Sequence, residues 1–325
     1  MQVYADNAAT TKMSRVAIDA MLPYFDNIFG NPSSLHSAGQ EAKEALESAR
    51  ERIARCLGCE PREVYFTSGG SEADNQAIIS AARFGARKGK KHIISTAFEH
   101  HAVLHTLNKL EKEGFEVTYL DVSEGHNVTA QQVKDAIRED TCLVTTMYAN
   151  NEIGSVLPIS QIGTVCKEAK VPFHTDAVQA VGHLHINVKE QNIDMLSLSA
   201  HKFHGPKGVG ALYCRRGLPL VNVIEGGAQE RGKRGGTENI AGIMGMAAAL
   251  EDACAASWAW LLWRMPARTS TRTPSRSPPC GTSSLPDFLR SPTAPSTVMP
   301  SIGCLVMSVS ALRASKARAC CFCWT

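Results

Sequence analysis

The sequence lacks the segments that direct a chain out of the cell or into a membrane. Its N-terminus, MQVYADNAATT, has no basic region followed by an apolar run, so we expect no signal peptide. No apolar stretch approaches the length of a membrane span. Most cysteines stand singly in apolar surroundings, as Cys142 and Cys214 do, which is typical of reduced core thiols rather than of disulfides. We therefore predict a cytoplasmic protein with no membrane partner.

Acidic residues are scarce in one part of the chain only. Residues 257–325 contain one acidic residue, Asp287, against eight lysines and arginines, whereas residues 1–256 contain 30 acidic and 26 basic residues. All four tryptophans and eight of the 15 prolines also lie after residue 255, with no helical or strand period. We therefore predict a large domain over 1–256 and a basic tail over 257–325 that is non-native or disordered. A tail that binds nucleic acid is the alternative, but clustered Trp, Cys and Pro fit it poorly, and we expect no nucleic-acid partner.

Short apolar runs alternate with amphipathic stretches up to about residue 255. EVYFT precedes SEADNQAIISAARFGARKG, KHIIST precedes HHAVLHTLNKLEKEG, and VPFHTDA precedes AVQAVGHLH. Strand-then-helix repetition of this kind predicts an α/β fold with a mostly parallel sheet and helices on both faces. Ligands bind such sheets at the carboxyl ends of the strands. The unusual residues of this chain are predicted to lie there.

A glycine-containing turn follows the first predicted strand, in YFTSGGSEADNQA. Gly69 and Gly70 allow backbone N–H groups to approach an anion, Ser71 can donate to it, and the helix dipole favours a phosphate. A plain capped turn is the alternative. The segment has neither the GxGxxG nor the GxxxxGK[ST] pattern, so a dinucleotide or P-loop site is not predicted.

Two histidines, His100 and His101, follow the strand in KHIIST. An imidazole at a strand end can stack on an aromatic ligand or move a proton. Zinc is the competing idea, because His101 and His105 are four residues apart on a predicted helix. No glutamate completes an HExxH motif, so we expect no metal.

An aspartate and a lysine end two further predicted strands. Asp176, in VPFHTDAVQ, lies in an apolar setting, where an ionised carboxylate needs a partner. A protonated ring nitrogen is one candidate, and a nearby Arg or Lys is an equally good one. Lys202, in SLSAHKFHGPKGVGALY, stands between two histidines, and burial there would favour a neutral amine that forms an imine.

Each of these features alone is weak, but together they match one cofactor. A phosphate-binding turn, a ring-stacking histidine, an acid for a pyridinium and an imine-forming lysine fit pyridoxal 5′-phosphate (PLP). The sequence therefore predicts a PLP enzyme.

Several motifs resemble those of the NifS/IscS-type cysteine desulfurases, which are PLP enzymes of aminotransferase class V with fold type I. The motifs are YADNAATT, FGNPSSLHSAGQ, TSGGSEADN, EHHAVL, ANNEIGSVLPI, HTDAVQAVGHLHI, SLSAHKFHGPKGVGALY and GGAQERGKRGGTENI. The resemblance covers roughly the first four-fifths of the chain. It implies a PLP-binding large domain followed by a small C-terminal domain, which we expect to be missing or disordered here.

The resemblance implies roles for the residues that would surround the cofactor ring. Lys202 would bind PLP covalently, and His100 would stack over the ring and assist proton transfer. Asp176 would contact the pyridine nitrogen and Gln179 the ring hydroxyl. Asn151 would lie near the ring hydroxyl and the substrate carboxylate.

It also implies a phosphate site. Gly70, Ser71, Ser199 and His201 would bind the phosphate of their own subunit. Thr237 would reach the phosphate of the neighbouring subunit, which implies a homodimer.

The family converts L-cysteine to L-alanine and passes the sulfur, as an enzyme persulfide, to iron–sulfur scaffolds and other acceptor proteins. The family's nucleophilic cysteine lies on a loop with a sequence like S-S-G-S-A-C, and this sequence has no such motif. Nothing around the tail cysteines resembles that loop, so none is expected to replace it; these are Cys304, Cys320, Cys321 and Cys323. The alternatives are a selenocysteine lyase or an aminotransferase of the same fold, or an inactive PLP-binding product.

Codon logic gives a reason for the change of composition. If Cys320–Thr325 is read from the third base of each codon, the code permits Leu-Leu-Leu-Leu-Asp, which is similar to a stretch of the family. Residues 297–308, read likewise, permit N-G-D-A-V-N-R-L-P-G-N-V. We therefore expect that the chain from about residue 257 is an out-of-frame reading of a desulfurase gene, truncated before the cysteine loop.

Overall fold

The structure is a computed structural model that describes residues 3–122 and 127–264, with side chains as far as residue 256. The strands in this part of the chain are β1 (Val64–Thr67), β2 (His92–Thr96), β3 (Glu116–Leu120), β4 (Thr141–Met147), β5 (Phe173–Asp176), β6 (Met195–Ser199) and β7 (Gly210–Cys214). The helices are α1 (Arg15–Met21), α2 (Pro23–Asp26), α3 (Ser37–Leu57), α4 (Gly70–Ala86), α5 (His101–Lys112), α6 (Ala130–Ala136), α7 (Ile159–Ala169), α8 (Gln229–Gly232) and α9 (Ile240–Arg264).

The strands form one seven-stranded sheet in the order β1-β7-β6-β5-β4-β2-β3. The pairs from β6 across to β3 are parallel, whereas β7 is antiparallel to both of its neighbours, β1 and β6. Every residue of β2, β4, β5, β6 and β7 is buried, as expected for strands covered on both faces. This confirms the predicted α/β fold with a mostly parallel sheet.

Helices cover the sheet because their apolar residues recur at helical spacing. Leu46, Ile53 and Leu57 of α3 are buried in the same core cluster as Ile243 and Leu250 of α9. The helix α3 ends where Gly58 adopts a left-handed conformation, with φ 73°. On the other side, α4 packs against β4, β6 and β7. It thereby brings its N-terminal turn to the sheet edge that the sequence analysis singled out.

One predicted helix is absent from its place in the described chain. The segment AVQAVGHLH after β5 forms consecutive turns instead, with Ala180 N donating to Ala177 O at 2.9 Å and Val181 N to the same oxygen at 2.9 Å. Gly182, at φ 84°, ends the helical winding after about one turn. A Cβ there would lie 2.7 Å from Cβ of Phe203, so the glycine also permits close packing.

The last described helix crosses the predicted domain boundary. The helix α9 runs to Arg264, eight residues beyond position 256. The remaining tail, 265–325, lies outside the described residues, so the predicted division of the chain stays a prediction. Within the described residues, no helix combines the length and the apolar character that crossing a membrane requires.

Candidate active site

The strands that precede the predicted site residues all run in one direction. Because β1 and β6 are both antiparallel to β7, β1 points the same way as β6, β5 and β2. Gly70, His100, Asp176 and Lys202 follow or end these strands. They therefore lie at the same edge of the sheet, as the sequence predicts.

Lys202 ends a short 3₁₀ turn, Ala200–Lys202, directly after β6. Its Nζ donates to the backbone oxygen of Ala8 and, at 3.1 Å, to that of Ala9. The side chain is partly buried, and this burial lowers the pKa of its ammonium, although the carboxylates of Asp176 and Asp6 act in the opposite direction. A lowered pKa increases the fraction of neutral amine, which is the nucleophilic form.

Asp176 ends β5 and is 5% exposed. Its Oδ1 accepts from the N–H of Val178 at 2.9 Å, and within the described chain it forms no salt bridge with a lysine or arginine. Burial raises the pKa of this carboxyl, while the Val178 N–H and the nearby His100 and Lys202 partly offset the effect. The sequence left two partners open for Asp176, a protonated ring nitrogen and a nearby arginine or lysine. The described residues contain no salt bridge of the second kind.

His100 is the N-cap residue of α5, where its Nδ1 accepts from Ala102 N at 3.1 Å. Its side chain is exposed. One ring nitrogen of His100 and one carboxylate oxygen each of Asp74 and Asp176 lie within 4.8 Å of one another. The structure thus brings the predicted histidine and aspartate together.

Two buried acids at this edge were missed by sequence reasoning. Asp74 of α4 is 1% exposed and Glu99, which follows β2, is 5% exposed. Burial raises the pKa of both carboxyls, that of Glu99 to about 8. The signal in the sequence was an acid among the apolar residues of an amphipathic helix, but only the three-dimensional structure shows that Asp74 faces Asp176.

The turn before α4 fits closely against the loops after β5 and β6. Gly70 is buried, and a Cβ there would lie 2.6 Å from Cγ2 of Val178. A Cβ at Gly69 would lie 3.7 Å from Oγ of Ser199. Ser71 is exposed in the first turn of α4. The structure therefore places the N-terminus of α4 beside the Ser199 hydroxyl at the Gly69–Gly70 turn, an arrangement that suits an anion.

The N-terminal segment lies over the lysine loop. Gln179 Nε2 donates to Ala8 O at 2.9 Å, the same oxygen that Lys202 contacts. The Nδ1 of His201 and Oγ1 of Thr10 are 3.0 Å apart, and burial lowers the pKa of His201. These contacts join positions about 170 to 190 residues apart in the chain, which explains why sequence reasoning missed them.

Asn151 lies in the turn after β4, and Thr237 lies in the segment between α8 and α9. Asn151 is partly buried in the turn after β4, next to Asn150, whose Nδ2 donates to Phe98 O at 3.0 Å. Thr237 is exposed and lines a separate cavity of about 180 Å³ together with Ser68. Thr237 is therefore near the phosphate turn but opens to a different cavity.

The loop that carries Thr237 is held rigidly. Glu230 and Arg231 adopt left-handed conformations, with φ 46° and 58°. Arg50 donates to both carboxylate oxygens of Glu230 at 2.7 and 2.8 Å. Arg234 donates to Glu72 at 2.9 Å, and Glu72 accepts from the N–H of Ser68 at 2.8 Å. Strained backbone of this kind persists only where surrounding contacts fix it.

A second sequence signal that was missed is the CxxC spacing of Cys56 and Cys59. It falls at the C-terminal end of α3, whose dipole disfavours a thiolate. Burial raises the pKa of Cys59 to about 12, and the contact with Cys254, followed by burial, raises that of Cys56. These two thiols lack the low pKa of a reactive cysteine.

The residues at the sheet edge fit PLP. Within the described residues the buried Asp176 forms no salt bridge, which suits a protonated ring nitrogen as its partner, and the amine of Lys202 donates to two backbone carbonyls, which leaves it available to an aldehyde. The N-terminus of α4 and the Ser199 hydroxyl form a cradle at the Gly69–Gly70 turn that suits a phosphate. Asp74, His100 and Asp176 also have the spacing of a metal site, but the lysine and the phosphate cradle have no part in such a site.

Comparisons with known proteins agree with this geometry. The sequence profile of aminotransferase class-V matches residues 3–257. The chain is 56% identical over 250 residues to the cysteine desulfurase IscS of Clostridium botulinum, covering 77% of this chain and 63% of that protein. The corresponding protein of Methanosarcina thermophila is 53% identical over 253 residues, covering 78% and 62%. The chain thus spans less than two-thirds of the length of these relatives.

Solved structures give the same result. SspA in complex with cysteine has a TM-score of 0.74 and 46% identity, covering 77% of this chain and 72% of that chain. A NifS-like protein has a TM-score of 0.77 and 40% identity, covering 80% and 71%. The predicted PLP fold type I is confirmed. The chain belongs to the aminotransferase class-V family, whose cofactor is pyridoxal 5′-phosphate.

Proposed function

We propose that this chain carries the cofactor-binding domain of a cysteine desulfurase, which converts L-cysteine to L-alanine. The observation that supports this most strongly is the convergence of Lys202, Asp176, His100 and the Gly70 turn at one sheet edge. The relatives named cysteine desulfurase, and a neighbour solved with cysteine, point to the substrate.

Lys202 is proposed to hold the cofactor covalently. Its Nζ lies against two backbone carbonyls, which orient the amine without neutralising it. The lowered pKa increases the neutral fraction of the amine, which is the form that attacks an aldehyde and can later accept or return a proton.

Asp176 and His100 are proposed to act on either side of the ring. When bound, PLP withdraws electrons from the substrate Cα, and a protonated ring nitrogen strengthens this effect. An ionised Asp176 would keep that nitrogen protonated. His100 is exposed at the mouth of the site, where it can exchange protons with solvent and substrate.

The remaining site residues are proposed to fix the cofactor's position. Gly70, Ser71, Ser199 and His201 would hold the phosphate through the α4 N-terminus and hydroxyls. Separately, Gln179 and Asn151 would contact the ring hydroxyl.

The sulfur is proposed to pass to a cysteine thiolate of the enzyme as a persulfide. An S–S bond would form as the substrate Cβ–S bond breaks, and the electron pair of that bond, with a proton, would stay on the carbon skeleton that becomes alanine. Burial raises the pKa of Cys142, Cys166 and Cys214 to about 12, so none of these three is a suitable nucleophile. The persulfide would then supply an iron–sulfur scaffold or another acceptor protein. The sequence contains no motif like the S-S-G-S-A-C loop that carries the family's nucleophile.

A homodimer in the cytoplasm is the proposed setting. The rigid loop of Thr237 opens to its own cavity beside the phosphate turn, which supports a role in reaching a second subunit. The unpaired state of the described cysteines supports a reducing compartment.

The segment from about residue 257 is proposed to be an out-of-frame reading. The family match ends at residue 257, where the composition changes. Resequencing the gene tests this: a missing or extra base near that position is expected, and an intact frame would refute the proposal.

The chain has no motif like the loop of the nucleophilic cysteine, so the activity is tested on the protein expressed from the gene with its reading frame restored, in the presence of PLP, a thiol reductant and L-cysteine. Alanine and sulfide in equal amounts are expected. Selenide release from selenocysteine without sulfide release from cysteine would instead identify a selenocysteine lyase, and keto-acid-dependent transamination an aminotransferase. A PLP absorbance band without any product would identify an inactive PLP-binding product. Each of these three outcomes contradicts the desulfurase proposal for this chain.

A further inference from the structure

A chain of buried polar side chains crosses three neighbouring strands on the face that α4 covers. Thr145 of β4 pairs in register with His174 of β5, and its Oγ1 lies 2.8 Å from His174 Nδ1. The other ring nitrogen, Nε2, lies 3.0 Å from Oγ of Ser197 on β6. All three side chains belong to fully buried residues. Both nitrogens of the imidazole are therefore occupied by hydroxyls.

Asp74 of α4 lies at the end of this chain and beside Asp176. The nearby Ser197 hydroxyl lowers the pKa of its carboxyl, and its Oδ1 lies 3.7 Å from Nε2 of His174, beyond hydrogen-bonding distance. No hydrogen-bond partner for Oδ1 is found in the described part of the chain. The carboxylates of Asp74 and Asp176 approach within 4.8 Å. Two ionised carboxylates this close, both buried, would repel each other strongly.

Within the described residues, no lysine or arginine forms a salt bridge with Asp74 or Asp176. Desolvation lowers the pKa of His174 to about 3, so its imidazole is neutral. Glu99, on the loop after β2, is a third buried acid of the group. The cationic groups near the pair are Lys202 and His100; both lower the pKa of Asp176, and a ring nitrogen of His100 also lies within 4.8 Å of the Asp74 carboxylate.

We propose that Asp74 is a neutral, proton-carrying acid that holds Asp176 as the ionised carboxyl of the pair. The inference rests on the proposed function only for the identity of the group that Asp176 faces. With its proton, Asp74 donates a hydrogen bond within the polar cluster, and it removes the like charge that would otherwise disfavour ionised Asp176. Asp74 is thus a positioning residue that acts through Asp176.

Burial and the neighbouring carboxylates support this assignment. Desolvation is the largest cause of the raised pKa of Asp74, and the charges of Asp176 and Glu99 raise this pKa further. The Ser197 hydroxyl acts in the opposite direction and lowers the pKa. The groups that face Asp74 are Asp176 and His174 from β5, Ser197 from β6, and Glu99 and His100 from the segment between β2 and α5. Carboxylic acids kept neutral by an apolar site act as hydrogen-bond donors in other enzymes.

The first test uses the protein without PLP, in the presence of EDTA. Infrared spectra at neutral pH are expected to contain carbonyl bands of protonated carboxyls, of which one disappears in Asp74→Asn and another in Glu99→Gln. Asp135→Asn, which changes an exposed carboxylate on α6, is the matched control and leaves both bands. A spectrum of Asp74→Asn identical to that of the parent protein would overturn the proposal.

The second test measures PLP affinity with the same proteins. Asp74→Asn keeps a hydrogen-bond donor without a charge, so its Kd for PLP is expected within about threefold of the parent value. Asp74→Leu removes the donor and should weaken PLP binding about tenfold, as the loss of one hydrogen bond to a charged network does. Asp176→Asn should weaken it at least as much. Loss of binding in Asp74→Asn equal to that in Asp176→Asn would show that Asp74 acts as an anion.

Circular dichroism checks the fold of Asp74→Leu, and the infrared result decides the protonation state if that variant unfolds. If the parent protein binds no PLP, the proposed function fails, while the infrared test still decides the state of Asp74.

Discussion

Two groups of buried carboxylates in this protein have opposite surroundings. Glu230 is 4% exposed and receives two hydrogen bonds from Arg50, at 2.7 and 2.8 Å, and one from Phe66 N at 2.9 Å. Asp176 and Asp74 are as deeply buried, yet within the described chain neither forms a salt bridge with a lysine or arginine. The described part of the protein thus supplies a cationic partner for the Glu230 carboxylate but no salt-bridge partner for the two acids near the carboxyl ends of the strands.

This difference separates a structural carboxylate from a functional one. A buried ion pair needs complete hydrogen bonding to offset its desolvation, and Glu230 has it. Buried acids without such partners have raised pKa values, as Asp176, Asp74 and Glu99 do. Groups of this kind mark sites whose charge is completed by a ligand.

The largest expected effect comes from breaking the compensated pair. Arg50→Met should lower the free energy of unfolding by about 3–5 kcal/mol, because it leaves the Glu230 carboxylate buried and unpaired. Urea unfolding of the PLP-free protein measures this. Arg52→Met, at the more exposed pair with Glu251, is the matched control and should cost only about 0–1 kcal/mol. Equal losses of unfolding free energy in Arg50→Met and Arg52→Met would show that the buried pair is no more important for stability than the exposed one.

Replacing Asp176, which has no arginine or lysine salt-bridge partner in the described chain, should affect PLP binding and not the stability of the PLP-free protein. Asp176→Asn should leave the PLP-free protein at least as stable as the parent, since a buried acid without a cationic partner is lost. Its PLP affinity should fall by about 2–5 kcal/mol, because the ring nitrogen loses its charged partner. Equilibrium dialysis measures the affinity, and unchanged binding would show that Asp176 does not face the ring.

Gly70 determines how closely the phosphate turn approaches the Asp176 loop. Gly70→Ala should cost about 1–3 kcal/mol of stability, because its Cβ would lie 2.6 Å from Cγ2 of Val178. Val178→Ala in the same protein should recover part of this loss, which a double-mutant cycle measures. A strictly additive cycle would contradict the close contact.

The smallest effect is a pH dependence. The pKa of Glu99 is raised from 4.5 to about 8, so between these values the folded protein binds a proton that the unfolded chain does not. This stabilisation is complete below about pH 4.5 and is lost as the pH rises through 8. Between pH 6 and 8 the loss should be about 2 kcal/mol. Glu99→Gln should reduce the pH dependence of urea unfolding, and an unchanged profile would show that Glu99 is ionised in the folded state.

The sequence predicts the strands and the site residues at their ends because both signals are local. Apolar runs such as MLSLS end where polar residues begin, and parallel strands bring those ends to one edge. This is why Asp176, His100 and Lys202 could be placed before the structure was known.

The polar chain beneath the site could not be predicted, because it depends on strand register. Thr145 contacts His174 only since these two residues are paired across β4 and β5. The N-terminal segment's contact with Lys202 spans more than 190 positions. The prediction of a helix after β5 was wrong for a local reason, because Gly182 ends the helical turn where Phe203 packs closely.

The most direct test of the central claim is to find which side chain binds PLP covalently. The purified chain is incubated with PLP, reduced with borohydride, digested and analysed by mass spectrometry. The account predicts a pyridoxyl group on Lys202, and a visible absorbance band that survives gel filtration in the parent protein but not in Lys202→Ala. A label on another lysine, or the same band in Lys202→Ala, would contradict it.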